Sequence, residues 1–152
     1  MLSRMMRIDT VRFGCVDVRT QDVIVFPLGI PGLENCRRWV LLTPPDGSTV
    51  HWLQCVDQPE TALAVVNPRH FLPTYQARMS RRELDCLELR TADETRVLVT
   101  VNRTERGLAL NLKAPLVINR NRRLGRQMIS NSDLPVQYLL EENVAEARRK
   151  TA

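Results

Sequence analysis

Two histidines, His51 and His70, and four cysteines, Cys15, Cys36, Cys55 and Cys86, are the side chains best suited to nucleophilic, acid–base or metal chemistry. No two cysteines form a Cys-x-x-Cys pair, and neither histidine stands at ligand spacing from them, which argues against zinc. Cys15 and Cys55 fall in apolar, strand-like runs and are expected to be buried, reduced thiols. Two histidines give a triad or an acid–base pair little material. Gly-x-Ser-x-Gly, P-loop and Gly-x-Gly-x-x-Gly patterns are absent. His51, between Val50 and Trp52 in an extended run, points away from the face that carries Trp52 and reads as structural or exposed. His70 belongs to the turn Asn67-Pro68-Arg69-His70-Phe71 and takes no assigned role. The acidic pairs Asp93-Glu94 and Glu141-Glu142 lie in polar surroundings and read as solvated surface. In Pro27-Leu28-Gly29-Ile30-Pro31-Gly32 the prolines lack the N–H groups that cradle a phosphate, so this segment is expected to be a rigid turn. The inventory points to no catalytic set, no metal and no cofactor.

The 152-residue chain has a formal net charge of +5, and its excess is local. From Arg103 to Arg126 there are seven basic residues against one acidic, while the rest is nearly balanced. A local positive field attracts polyanions or an acidic protein face and is weakened by salt. Arg120, Arg122, Arg123 and Arg126 are the candidate polyanion-binding residues; a solvated arginine-rich loop is the other reading. No aromatic residue lies between Tyr75 and Tyr138, so a base-stacking element is missing here. Phosphate contacts or an acidic protein surface fit this segment better than base readout.

The elements that must position these groups are short. Pro and Gly punctuate runs rich in Val, Ile, Leu and Trp, which is the pattern of an all-β sandwich or barrel in one domain. Strands are expected at 6–13, 16–19, 23–26, 39–43, 50–56, 61–66, 96–102, 108–112, 116–118 and 126–129. Hairpins are expected across Thr20–Asp22, across Pro44–Thr49 with its Pro-Pro-Asp-Gly turn, and across Arg103–Gly107. The run 61–66 reads as a strand buried on both faces. Trp39 and Trp52 are expected in the core. Ser80 and Glu83 form a capping-box pattern for a short helix from Arg81 to about Leu87, with Leu84 and Leu87 inward. The tail 137–150 has helical composition without a wide apolar stripe, so a frayed helix or a flexible end is expected there. The longest apolar run, Ala62–Val66, has five residues, too few to span a bilayer as a helix. Met1–Arg7 lacks a signal peptide's apolar stretch, and a cytoplasmic protein is the expectation.

Three segments taken together carry a family likeness: Phe26-Pro27-Leu28-Gly29-Ile30-Pro31-Gly32-Leu33-Glu34; Trp52-Leu53-Gln54-Cys55-Val56-Asp57-Gln58-Pro59 running on to Leu63-Ala64-Val65-Val66-Asn67-Pro68; and Asn111-Leu112-Lys113-Ala114-Pro115-Leu116-Val117-Ile118-Asn119. In order and spacing the chain resembles the FliW family of flagellar assembly factors from about Ile8 to about Leu140. The resemblance implies a single, mainly antiparallel β-barrel-like domain over residues 1–140, followed by a flexible or frayed tail over 141–152. It further implies a non-catalytic protein that binds flagellin and, alternatively, the translational repressor CsrA, so that CsrA releases flagellin mRNA. Proteins of that family tend to be acidic, whereas this chain is basic. Either an acidic surface lies elsewhere, for example around Glu83, Asp85, Glu88, Asp93 and Glu94, or release of RNA from CsrA rests on shape more than on charge repulsion. The second alternative is the expectation, and release should then vary little with salt.

For partner contact, Asn111, Lys113 and Asn119 present polar groups beside the stiffening Pro115, while Phe71 and Tyr75 offer an apolar anchor. The competing roles are local backbone satisfaction for Asn111 and Asn119 and core packing for Phe71 and Tyr75.

Overall fold

Short β-branched runs interrupted by turn residues cannot each bury an apolar face alone, and here they do so by closing a ring. The computed structural model describes residues 4–130 and 133–140. Along it run β1 (Met5–Thr10), β2 (Gly14–Arg19), β3 (Ile24–Val25), β4 (Arg38–Leu42), β5 (His51–Cys55), β6 (Ala62–Val66), α1 (Arg81–Cys86), β7 (Thr95–Thr104), β8 (Gly107–Leu110), β9 (Leu116–Asn119), β10 (Leu124–Gln127) and β11 (Tyr138–Leu139). Strand β3 pairs with β4, β4 with β5, β5 with β6, β6 with β7, β7 with β9, β9 with β10, and β10 returns to β3. Only the closing β10–β3 contact, Leu124 opposite Val25, is parallel. The result is the expected all-β, mainly antiparallel barrel, with one short helix, α1, among the described elements.

Strand β7, ten residues long, makes the closure possible. Its first part pairs with β9, Val99 and Thr100 pair with β6, and its last part forms a hairpin with β8. The other edge of β8 takes β11. Inward side chains alternate with outward ones along each strand. Ile24, Phe26, Trp39, Leu53, Val65, Leu98, Leu116 and Ile118 fill the interior. Phe26 and Trp39 meet edge to face at 6.4 Å, and the Trp39 indole donates to the Cys36 carbonyl at 2.9 Å. Each such fully buried side chain contributes about 1.5–3 kcal/mol of transfer free energy. Three smaller clusters cover the outside of the ring. Ile8 and Val18 of the β1–β2 hairpin sit on Val40; Tyr75, Val66, Val99, Leu110 and Leu112 form a second layer; and Leu87 closes over Val117 and Met128.

The capping box at α1 is formed: Ser80 Oγ accepts from the Glu83 N–H and Glu83 returns a carboxylate oxygen to the Ser80 N–H. Leu87 is buried and Leu84 half-buried. The hairpins β4–β5 and β7–β8 fall where the turn residues place them.

Other expectations are corrected. The segment 16–19 does not form a hairpin with 23–26. Gly14, at φ +68°, reverses the chain earlier, so β2 folds back on β1. Thr10 Oγ1 donates to the Gly14 carbonyl and accepts the Phe13 N–H, fixing that turn and ending β1 at Thr10. In β6 only Val65 and Val66 are buried, while Ala62, Leu63 and Ala64 are half-buried, because β6 pairs with β7 only at its end. Cys55 is buried, but Cys15 is exposed on the outer hairpin, where its thiol donates to Asp9. Trp39 is core. Trp52 lies half-buried on the outer face, with the Arg12 guanidinium 3.7 Å from its ring and Phe13 against its edge. Tyr138 and Leu139, expected in a helical tail, are strand, and the rest of that tail, 141–152, lies outside the described residues.

Candidate partner-binding cleft

The register of the barrel brings arginine and histidine side chains to one of its ends. Arg96 faces Ile118 across β7 and β9, and His51 faces Val65 across β5 and β6. Cross-strand partners share a face, so Arg96 and His51 stand on the interior face, one step beyond the last apolar layer. Arg120 extends the row of Leu116 and Ile118 by one more alternation, and its N–H donates to the Glu94 carbonyl at 2.7 Å, continuing the ladder. The barrel's mouth is therefore rimmed with basic groups.

Two connections wall this mouth into a cleft of about 940 Å³. The first, after β6, contributes Arg69 and His70; its turn is set by Asn67, whose side chain accepts the Arg69 N–H at 3.0 Å. The second, around α1, contributes Arg78 and Arg90 together with the apolar Met79, Leu84 and Leu89. Asp93 is the one carboxylate in the lining. Among the described residues the direct ion pairs are Arg7–Asp17, Arg19–Asp22 and Arg38–Asp57, all elsewhere. Beside the cleft, the Glu94 carboxylate accepts the Arg90 N–H, and that bond and the Arg90 charge help lower its pKa. Desolvation, then Arg120 and Arg123, push the Arg96 pKa down. Burial first, then Arg96 and His70, lower that of His51, whose Nδ1 lies 3.0 Å from Thr43 Oγ1. Such a field favours a bound anion. No group of three His, Cys, Asp or Glu side chains among the described residues is placed to hold a metal ion.

The residues singled out from sequence do not converge on one site. Tyr75 lines the base of the cleft but is only 3% exposed, and its hydroxyl donates to the Leu112 carbonyl at 2.8 Å. Phe71 is half-buried against the same cluster. Asn119 is 1% exposed: its Nδ2 donates to the carbonyls of Leu87 and Glu88, and its Oδ1 accepts from the N–H groups of Asn121 and Arg122. Asn111 Oδ1 accepts the Ala114 N–H, and Lys113 is half-buried. Tyr75 and Asn119 are thus both buried and hydrogen-bonded within the fold.

The arginines of the basic segment also separate. Arg120 reaches the cleft; Arg122 is exposed in the following turn; Arg126 faces Val117 on the outer side of the barrel. Arg123, at φ +55°, holds the chain closure, donating to the Asp22 carbonyl at 2.8 Å while its own carbonyl accepts the Val25 N–H. The cleft draws its other arginines from 69, 78, 90 and 96, outside the segment that sequence counting marked. The available signal was the strand alternation that runs from Leu98 to Arg96 and from Ile118 to Arg120.

The segments carrying the family likeness are architectural. Gly29, at φ +70°, sits where an added Cβ would come within 2.9 Å of Glu34 Cα, and the Glu34 carboxylate accepts the Gly32 N–H, which lowers its pKa. Gln54 Nε2 is held among the carbonyls of Cys55, Gln58, Pro59 and Thr61.

Comparison with known proteins agrees with this architecture. The model of the FliW protein family matches residues 7–140. Flagellar assembly factor FliW of Bdellovibrio bacteriovorus is 35% identical over 126 residues, covering 82% of this chain and 72% of that protein. That of Natranaerobius thermophilus is 32% identical over 127 residues, covering 82% and 84%. A crystal structure of the flagellar assembly factor FliW superposes with a TM-score of 0.83 at 28% identity, covering 89% of this chain and 96% of that one. The chain belongs to the FliW family of flagellar assembly factors.

Proposed function

We propose that this chain is a cytoplasmic, non-catalytic adaptor of flagellar biogenesis. It binds flagellin and, alternatively, CsrA, and in holding CsrA it frees flagellin mRNA for translation. The observation that carries this reading is the family match over residues 7–140, nearly the whole barrel. The cleft supports a binding role, since among the described residues none of its arginines is taken up in a direct side-chain ion pair. Among the described residues no helix is long and apolar enough to cross a membrane.

Of the contacts considered from sequence, Phe71, Asn111 and Lys113 are retained in this proposal, all half-buried. Release of RNA from CsrA is expected to depend on shape and to hold nearly constant as salt rises. Titration calorimetry of the purified chain with flagellin and with CsrA, followed by competition between them, tests the reading; binding to neither sinks it. Direct binding of the chain to flagellin leader RNA without CsrA would favour a polyanion-binding role for Arg120, Arg122, Arg123 and Arg126 instead.

A further inference from the structure

We propose that the basic mouth of the barrel is a binding site for an acidic polypeptide segment, whose carboxylates pair with Arg90, Arg96 and Arg120 while its apolar side chains rest on Met79, Leu84 and Leu89. This assignment does not depend on the identity of the chain's physiological partners.

Three observations select that occupant. Arg69, Arg78, Arg90, Arg96 and Arg120 converge around a cleft of about 940 Å³, while the carboxylates at hand are Asp93 in the lining and Glu94 beside Arg90, so the site keeps an excess of positive charge. Guanidinium groups pair with carboxylates in a planar, two-bond geometry, and a partly desolvated position strengthens the pairing. Between the arginines, Met79, Leu84 and Leu89 add an aliphatic patch to a lining that is otherwise largely polar. A single-stranded nucleic acid would ask for exposed rings on which bases stack. Of the rings in the lining, Tyr75 is buried and tied by its hydroxyl to Leu112, His51 is half-buried, and His70 alone is exposed, which does not make a series of stacking platforms. A segment that alternates carboxylates with aliphatic side chains matches both parts of the surface. The cleft's size suits a short segment and not a folded domain.

The test uses fluorescence anisotropy with the full chain and three labelled probes: a short synthetic peptide of Glu and Leu, its twin with Lys for Glu, and a single-stranded RNA of matching negative charge. The Glu peptide is expected to bind, more weakly as salt rises, and the Lys twin not to bind. Arg96 and Arg120 make no side-chain hydrogen bond or ion pair among the described residues, so the double variant Arg96→Gln, Arg120→Gln is expected to melt like the parent. It should lose roughly tenfold or more in affinity for the Glu peptide. Arg103→Gln, an exposed position in β7 away from the cleft, removes one positive charge and should leave affinity nearly unchanged. Equal binding of the Lys twin, tighter binding of the RNA, no binding of the Glu peptide, or unchanged affinity in the double variant would each overturn the assignment.

Discussion

Replacing Asn119 by alanine separates a scaffold role from a contact role at a position where sequence left both open. The side chain makes four hydrogen bonds: 2.8 Å to the Leu87 carbonyl, 3.2 Å to the Glu88 carbonyl, and 3.0 and 3.1 Å from the N–H groups of Asn121 and Arg122. Leu87 is 1% exposed, so its carbonyl has no route to water once the amide is gone. An orphaned buried acceptor costs about 1–3 kcal/mol. Glu88, Asn121 and Arg122 are exposed residues, and water can replace most of what those three bonds supply, leaving about 0.3–0.5 kcal/mol each. The loss should come to about 3 kcal/mol. At roughly 3 °C per kcal/mol for a domain of this size, that lowers Tm by about 9 °C. Asn111→Ala, which removes one half-buried bond to Ala114, should cost less than about 1 kcal/mol. Urea unfolding followed by tryptophan fluorescence, with calorimetry for Tm, reads both variants. A loss below about 1 kcal/mol for Asn119→Ala, together with weakened partner binding, would refute the scaffold assignment.

Further outcomes follow from packing and exposure. At Gly125 an added Cβ would stand 2.5 Å from the ring of Phe26, which is fully buried; Gly125→Ala should therefore cost about 1–3 kcal/mol. Combining it with Phe26→Leu should cost less than the two single losses added together, and simple additivity in urea unfolding would count against the clash. Burial raises the Tyr75 pKa to about 12 from an ordinary 10. Its contribution to stability is thus complete below pH 10 and lost as pH rises toward 12. Tyr75→Phe should flatten that alkaline decline and remove the phenolate absorbance that develops last; an unchanged alkaline titration would exclude the assignment. Cys15 and Cys86 should react with a thiol reagent in the native protein and Cys36 and Cys55 only after unfolding, as their exposure dictates. Asp9→Asn should speed the reaction of Cys15, whose pKa the hydrogen bond to Asp9 raises.

The fold was legible where local chemistry and tertiary structure agree. Pro44-Pro45-Asp46-Gly47 marks a turn whatever surrounds it, and Ser80 with Glu83 marks a helix start. It failed where a competing local signal won. Thr20–Asp22 has turn composition, yet Gly14 had already reversed the chain, so the hairpin formed one segment earlier. Trp52 has core composition but sits on the outward phase of β5, where Arg12 covers it. The family was legible because its motifs hold the framework: Gly29 for the close approach to Glu34, Gln54 for the β5–β6 turn, Asn119 for the Leu87 connection. The cleft was not legible from charge counting, because its arginines are scattered along the chain and meet only once strand register is known.

The single parallel contact that shuts the barrel has a kinetic implication. Val25 and Leu124 meet near opposite ends of the domain, and the Arg123 guanidinium reaches the Asp22 carbonyl across 101 positions. Ring closure cannot occur while the chain is emerging from a ribosome, until β10 has been made. Before that moment β3 and β9 carry open edges able to template strand addition by other molecules. Assembly should therefore be slow and late, on the timescale of proteins whose contacts span long stretches of sequence. A nascent chain halted before Leu124 is the species most exposed to aggregation.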